Sequence, residues 1–261
     1  MPNNTCDYPT IDPVEAGSQP PGPVRATFCW PVSVAVLLTV LTVGVAILGG
    51  VIGSLIESTS VAAQWGPTAT AAVVGAVLIG AYGLIALAVV GSARNSGAQW
   101  WEAVRLYSTP AVAAIAIGLS VGFAARFATA IYSLLLEALG IGGAPRADPT
   151  KILPVGTAGL VLTIVVVCVV APIVEEMVFR GVLLQSLARR WGVTAGIVIS
   201  SIVFALAHSS LYAALPIFLL ALFLGRLFVR SGTLWQPIAA HAAFNTLGLL
   251  GVYWLRATGK A

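Results

Sequence analysis

Gly159–Arg180 reads GLVLTIVVVCVVAPIVEEMVFR. From Gly159 to Val174 the segment is hydrocarbon apart from Thr163 and Cys168. Then two adjacent carboxylates and an arginine arrive within two turns. The chain has only 9 acidic residues in 261, so placing two of them on such a segment needs a reason. The apolar part decides the solvent. It belongs to a run of about membrane-spanning length, and ionisable groups at membrane depth are costly and mark functional sites by default.

The rest of the chain agrees. It is 59% hydrophobic and 8% charged, with mean hydropathy +0.98, against roughly 25% charged residues in a soluble domain. Apolar runs predict seven helical spans at approximately 31–56, 68–91, 110–138, 153–188, 193–209, 212–230 and 235–255. The fold class is therefore all-α, a polytopic membrane bundle of about seven to eight transmembrane helices around an intramembrane polar cavity. Gly49/Gly53 and Gly118/Gly122 have the spacing that lets membrane helices approach closely. The third run ends in a polar stripe of Arg126, Thr129, Ser133 and Glu137. Arg126 is expected to snorkel or to pair with Glu137. Pro172 is expected to kink the fourth run just before the glutamates.

Composition excludes several classes. The net charge of +4 is not a nucleic-acid footprint, because basic residues sit singly or in pairs at the ends of apolar runs. Trp30, Trp65, Trp100, Trp101, Trp191, Trp235 and Trp254 also lie near run ends, as an interfacial belt would. Three cysteines are too few and too dispersed for a disulfide framework. Residues 1–29 are polar and Pro-rich without an apolar h-region, and read as a disordered tail. Arg94, Arg105, Arg189-Arg190 and Arg226/Arg230 fall on one side of alternating spans, which favours a cytoplasmic N-terminus.

The ionisable groups of the second half form a constellation. Glu175, Glu176 and Arg180 are on the fourth run, His208 on the fifth and His241 on the seventh; these are the only 2 histidines. At about 1.5 Å per residue from the surface marked by Arg190 and Ser231-Gly232, Glu175 lies roughly 22 Å deep, His208 25 Å, His241 14 Å and Asn245 20 Å. Ordinary tilt absorbs those differences, so three helices can bring these side chains together. Glu176 and Arg180, at i,i+4 with the acid first, predict a buried ion pair. Adjacent helical residues diverge by about 100°, which leaves Glu175 to face His208 as the active acid. His241 and Asn245 share one helix face and could offer oxyanion donors; Phe204, four residues before His208, could wall the site or orient that imidazole. A purely structural ion-pair cluster remains the alternative. There is no His-Glu-x-x-His, Gly-x-Ser-x-Gly, Walker or dinucleotide motif, although Glu175, His208 and His241 could together hold one metal ion.

Glu-Glu-x-x-x-Arg ("EEMVFR"), Phe-x-x-x-His ("FALAH") and His-x-x-x-Asn ("HAAFN") occur in that order on separate helices. Over roughly residues 155–250 this resembles the CPBP family of intramembrane proteases, which includes CAAX-type prenyl-protein endopeptidases and proteins linked to bacteriocin self-immunity. The resemblance implies a tail at 1–29, motif-free membrane helices at 30–152, a catalytic helical core at 153–256 and a short tail at 257–261. It implies an endopeptidase acting on a membrane-associated, in some cases lipidated, protein or peptide. Glu175 would be general base on a water with His208 assisting, and His241 and Asn245 would stabilise the oxyanion. Glu176, Arg180 and Phe204 would support the site. The cofactor stays open between none and one divalent metal such as zinc. The expected partners are the lipid bilayer and the substrate, with no nucleic acid, and the setting is a bacterial cytoplasmic membrane, with a eukaryotic endomembrane as the alternative. Two other classes stay open: a non-catalytic protein that binds a partner through the same cavity, and a small proton-coupled transporter, against which the absence of a visible repeat argues.

Overall fold

The computed structural model describes residues 28–58, 60–106, 112–141, 157–208 and 211–258. All regular structure among them is helical. In chain order it comprises α1 (Val32–Ser58), α2 (Ser60–Asn95), α3 (Trp100–Ala103) and α4 (Val112–Ala138). A long continuous helix follows, in which α5 (Thr157–Thr163), α6 (Ala171–Val178) and α7 (Gln185–Trp191) are joined by π-helical segments π1 (Ile164–Val170) and π2 (Phe179–Leu184). The chain ends with α8 (Val193–Ala207), α9 (Leu211–Ser231) and α10 (Trp235–Ala257).

Six of these helices are long and apolar enough to cross a membrane: Val32–Gly49, Ala72–Asn95, Val112–Ala138, Gly159–Trp191, Ala213–Ser231 and Trp235–Leu255. The protein is a polytopic helical membrane bundle. The seventh expected span, α8, is apolar but has only 15 residues, about 22 Å of helix. Its shortness puts His208 at the end of the helix instead of inside it. The predicted tails lie outside the described residues except for Phe28, Cys29, Ala257 and Thr258. Cys29 is disulfide-bonded, whereas Cys168 is a free buried thiol.

The long helix is the hub. Every residue from Val174 to Ala188 is buried. One core cluster joins its Val174, Val178, Phe179, Val182 and Leu187 to Trp30 and Leu38 near the start of the chain, Ile85 and Val89 of α2, and Phe204 and Phe228 of the last third. The motif-free first half is thus packed directly on the motif-bearing half. The short α3 ties the two. Ala103 O accepts from Trp30 Nε1 at 3.0 Å and from Gln185 Nε2 at 3.0 Å. Arg105 O accepts from Leu234 N–H at 3.0 Å. Arg105 is buried with φ +61°, a left-handed backbone that non-glycine residues seldom adopt. Trp101, Trp191 and Trp254 are exposed as a belt requires, but Trp30 is 2% exposed and belongs to the protein interior.

Helix α4 is attached differently. Its buried residues are Gly118 and Gly122, which lie against the α10 backbone. A Cβ there would sit 2.5 Å from Gln236 O and 2.2 Å from Ala240 O, respectively. One turn on, Arg126 does not reach toward Glu137, which is i+11 and about 16 Å along the helix. Its guanidinium crosses to α10, over the Phe244 ring at 5.4 Å and against Gly248. Cation–π contact with a neighbouring helix therefore replaces the expected intrahelical pair. Thr129 and Ser133 satisfy their hydroxyls on carbonyls four residues back.

Candidate active site

The glutamates sit on α6, an eight-residue α-helical piece between two π-helical ones. Such segments recur at functional sites because they shift the rotational phase of the helix and free backbone groups. Pro172 explains one freed group. In the π register Ala171 N–H bonds Val166 O, five residues back, so the following amide would bond Val167 O. Residue 172 is proline and has no N–H to give. The missing donor comes from another helix: Asn245 Nδ2 donates to Val167 O at 2.9 Å. The proline expected to kink this helix thus fixes where α10 docks. Asn245 retains a second amide hydrogen.

Arg180 Nη1 donates to Glu176 Oε1 at 2.8 Å, the i,i+4 pair read from the spacing, with the two side chains 1% and 0% exposed. Arg180 Nη2 also donates to Ala221 O of α9 at 3.2 Å, and the guanidinium lies 4.5 Å from the Phe204 ring centroid. A buried pair held by such extra contacts is costly to break, since either partner left alone is an uncompensated charge. Glu176 Oε2 and Arg180 Nε have no protein partner.

His241 joins the same carboxylate. Its Nδ1 is 2.9 Å from Glu176 Oε1, which accepts, so Nδ1 carries a hydrogen. Nε2 points to Glu175, 3.9 Å from Oε2. The other Glu175 oxygen, Oε1, accepts from the Tyr82 hydroxyl at 2.7 Å. Sequence reasoning missed Tyr82. The available signal was a phenol inside an apolar span, on the same helical face as Ile85, Val89 and Ala93.

His208 stands apart. It follows the last residue of α8, is exposed, and its Nδ1 donates to Phe204 O at 2.8 Å. Expected to oppose Glu175, it instead approaches the site through Phe204. That ring is 1% exposed and touches His208 at 4.7 Å, His241 at 5.5 Å and Phe179 at 4.9 Å between centroids. The expected polar cavity takes the form of a buried cluster in which Glu175, Glu176, Arg180, His241 and Tyr82 meet directly. Among the described residues, no three His, Cys, Asp or Glu side chains are arranged to hold a metal ion.

Fold and site together define a multi-pass membrane protein with two glutamates, a histidine and an arginine in contact inside the bundle. Residues 157–247 match the family described as Type II CAAX prenyl endopeptidase Rce1-like. Among similar proteins is an Escherichia coli chain named "Uncharacterized 24.3 kDa protein". It is 30% identical over 172 residues, which cover 63% of this chain and 68% of that one. Another is the Bacillus subtilis (strain 168) "Putative membrane peptidase YdiL", 26% identical over 136 residues, or 49% of this chain and 56% of that one. No solved structure matches. The chain belongs to the Rce1-like family.

Proposed function

We propose that this protein is an intramembrane endopeptidase that hydrolyses a peptide bond of a membrane-associated, in some cases lipidated, substrate with a water activated by Glu175. The observation that carries this reading is the 3.9 Å separation of Glu175 Oε2 and His241 Nε2. In the neutral tautomer of His241 that keeps its Nδ1 hydrogen on Glu176, both atoms are hydrogen-bond acceptors, and their far sides are tied to Tyr82 and Glu176. A water about 2.8 Å from each would subtend about 90° at its oxygen, close to the angle between its own two hydrogens. Donating one hydrogen to each acceptor turns its lone pairs outward, toward a bound carbonyl.

Glu175 then takes the proton as water adds to the carbonyl carbon, and delivers it to the departing amine. Glu176 holds the tautomer and orientation of His241, and Arg180 offsets the charge of Glu176. The Nδ1 contact with Glu176 supports a role for His241 other than the one expected. With its Nδ1 hydrogen on Glu176, the neutral tautomer accepts at Nε2, which favours the water side of the site over the oxyanion side. The second amide hydrogen of Asn245 remains available to the oxyanion, and His208 lines the approach. Glu175, His208 and His241, the candidate metal set, do not come together among the described residues, and no step here is routed through a metal ion. The reading extends to residence in a bacterial cytoplasmic membrane with the N-terminus inside, on the distribution of Arg94, Arg105, Arg189 and Arg190.

The test uses purified protein in liposomes with peptides carrying a prenyl tail, a transmembrane anchor or no anchor, each with and without chelator. Cleavage of an anchored peptide that Glu175→Ala abolishes, while the variant still accumulates, is the expected result. Turnover that survives that substitution sinks the mechanism. Saturable capture of a peptide with no cleavage supports the partner-binding class instead.

A further inference from the structure

Hydroxyls in this bundle generally satisfy themselves at home. Thr39, Thr42, Ser120, Thr129, Thr163 and Thr246 each donate to the carbonyl four residues back on their own helix. Tyr82 cannot do this, because its hydroxyl stands a ring's length from its backbone. A buried phenol must find a partner across an interface. Among the described residues the buried face of α2 is formed by Gly75, Tyr82, Ile85, Val89 and Ala93. Tyr82 is the one polar side chain on that face, 5% exposed, and its hydroxyl meets Glu175 Oε1 at 2.7 Å.

That contact answers an electrostatic problem. In the neutral His241 tautomer of the proposed mechanism, Glu175 Oε2 and His241 Nε2 both present lone pairs across 3.9 Å. With no donor between them they repel, and a free glutamate side chain would rotate away. His241 is held by Glu176 and cannot yield. We propose that Tyr82, on a helix outside the family-matching segment, is a positioning residue of the active site, whose hydroxyl pins Glu175 Oε1 so that Oε2 stays opposite His241 Nε2. This rests on the glutamate-base reading above. It gives the first half of the chain a part in the chemistry, because α2 supplies the restraint that the motif-bearing helices lack.

Tyr82→Phe removes the donor and keeps the ring, whereas Tyr82→Leu removes both. In liposome kinetics on an anchored peptide, Tyr82→Phe is expected to lower kcat by roughly 10- to 100-fold with KM unchanged, and its melting temperature should stay near that of the unsubstituted protein. A tyrosine that serves packing alone predicts the opposite order, with Phe neutral and Leu impaired, and that result overturns the proposal. A second readout needs no turnover: the infrared carboxylate band that disappears in Glu175→Gln should shift in Tyr82→Phe, and an unshifted band refutes the pinning. If Glu175→Gln keeps full kcat, the glutamate-base reading falls and the Tyr82 role falls with it. If Glu175→Gln is inactive and Tyr82→Phe is not impaired, only the Tyr82 role falls.

Discussion

Val174–Ala188 and Val112–Ala138 are both mainly apolar helical segments, yet they live in different environments. Every residue of the first is buried, while the second buries only Gly118 and Gly122 along its length. The first is surrounded by α1, α2, α8, α9 and α10, and can therefore carry charge, because each charged group finds a partner from another helix. The second faces lipid on most of its surface and is attached along one side only, by the close approach of Gly118 and Gly122 to the α10 backbone and by Arg126 over Phe244. Hydrophobicity does not separate the two; the number of neighbouring helices does.

Substitutions can break or sharpen that contrast, beginning with the largest expected effect. Glu175→Gln keeps volume and hydrogen bonding but cannot take a proton. It should lower kcat on an anchored peptide by about 10²- to 10⁴-fold with little change in thermal stability; a loss under tenfold would remove Glu175 from the base role. Next comes the buried pair. Arg180→Met strands Glu176 in the interior and should destabilise by about 3–5 kcal/mol, seen as a lower melting temperature in detergent. The Glu176→Gln/Arg180→Met double variant should recover part of that loss. If the single and double variants melt together, the pair is not what stabilises this region.

On the peripheral helix, Gly122→Val pushes a side chain into the Ala240 carbonyl, 2.2 Å from where its Cβ would lie. It should cost about 1–3 kcal/mol and loosen α4, which limited proteolysis would detect. The smallest effect belongs to Phe127→Ala. Phe127 is 64% exposed on the lipid side of α4, and the change should stay within about 0.5 kcal/mol. A large loss there would mean that the outer face of α4 is covered by something, and the contrast between the regions would need revision.

Much of this was legible in the residues. Composition fixed the solvent, since 8% charge cannot solvate the surface of a chain this apolar. Helical spacing fixed Glu176–Arg180, because i,i+4 neighbours meet whatever surrounds them. The ordered motifs placed Glu175, His241 and Asn245 at depths that allowed them to meet. Less was legible where a partner lies far away in sequence. Tyr82 is 93 positions from the carboxylate it contacts, and no local pattern links them. Asn245 reads as an oxyanion donor in the sequence, and its further bond to Val167 O, the carbonyl that Pro172 leaves without an amide, appears only in the fold. The direction in which Glu175 meets the other helices also depends on the two π segments that flank α6, which no residue spacing announces.

The sequence by itself therefore determined the solvent, the helices, the family motifs and the charge pair, all of which follow from composition or from contacts within one or two turns. Only the tertiary structure decided which oxygen of which glutamate meets which helix. Rotational phase after a π segment and the approach of α2 and α10 are set by packing among helices, and packing is a property of the assembled bundle.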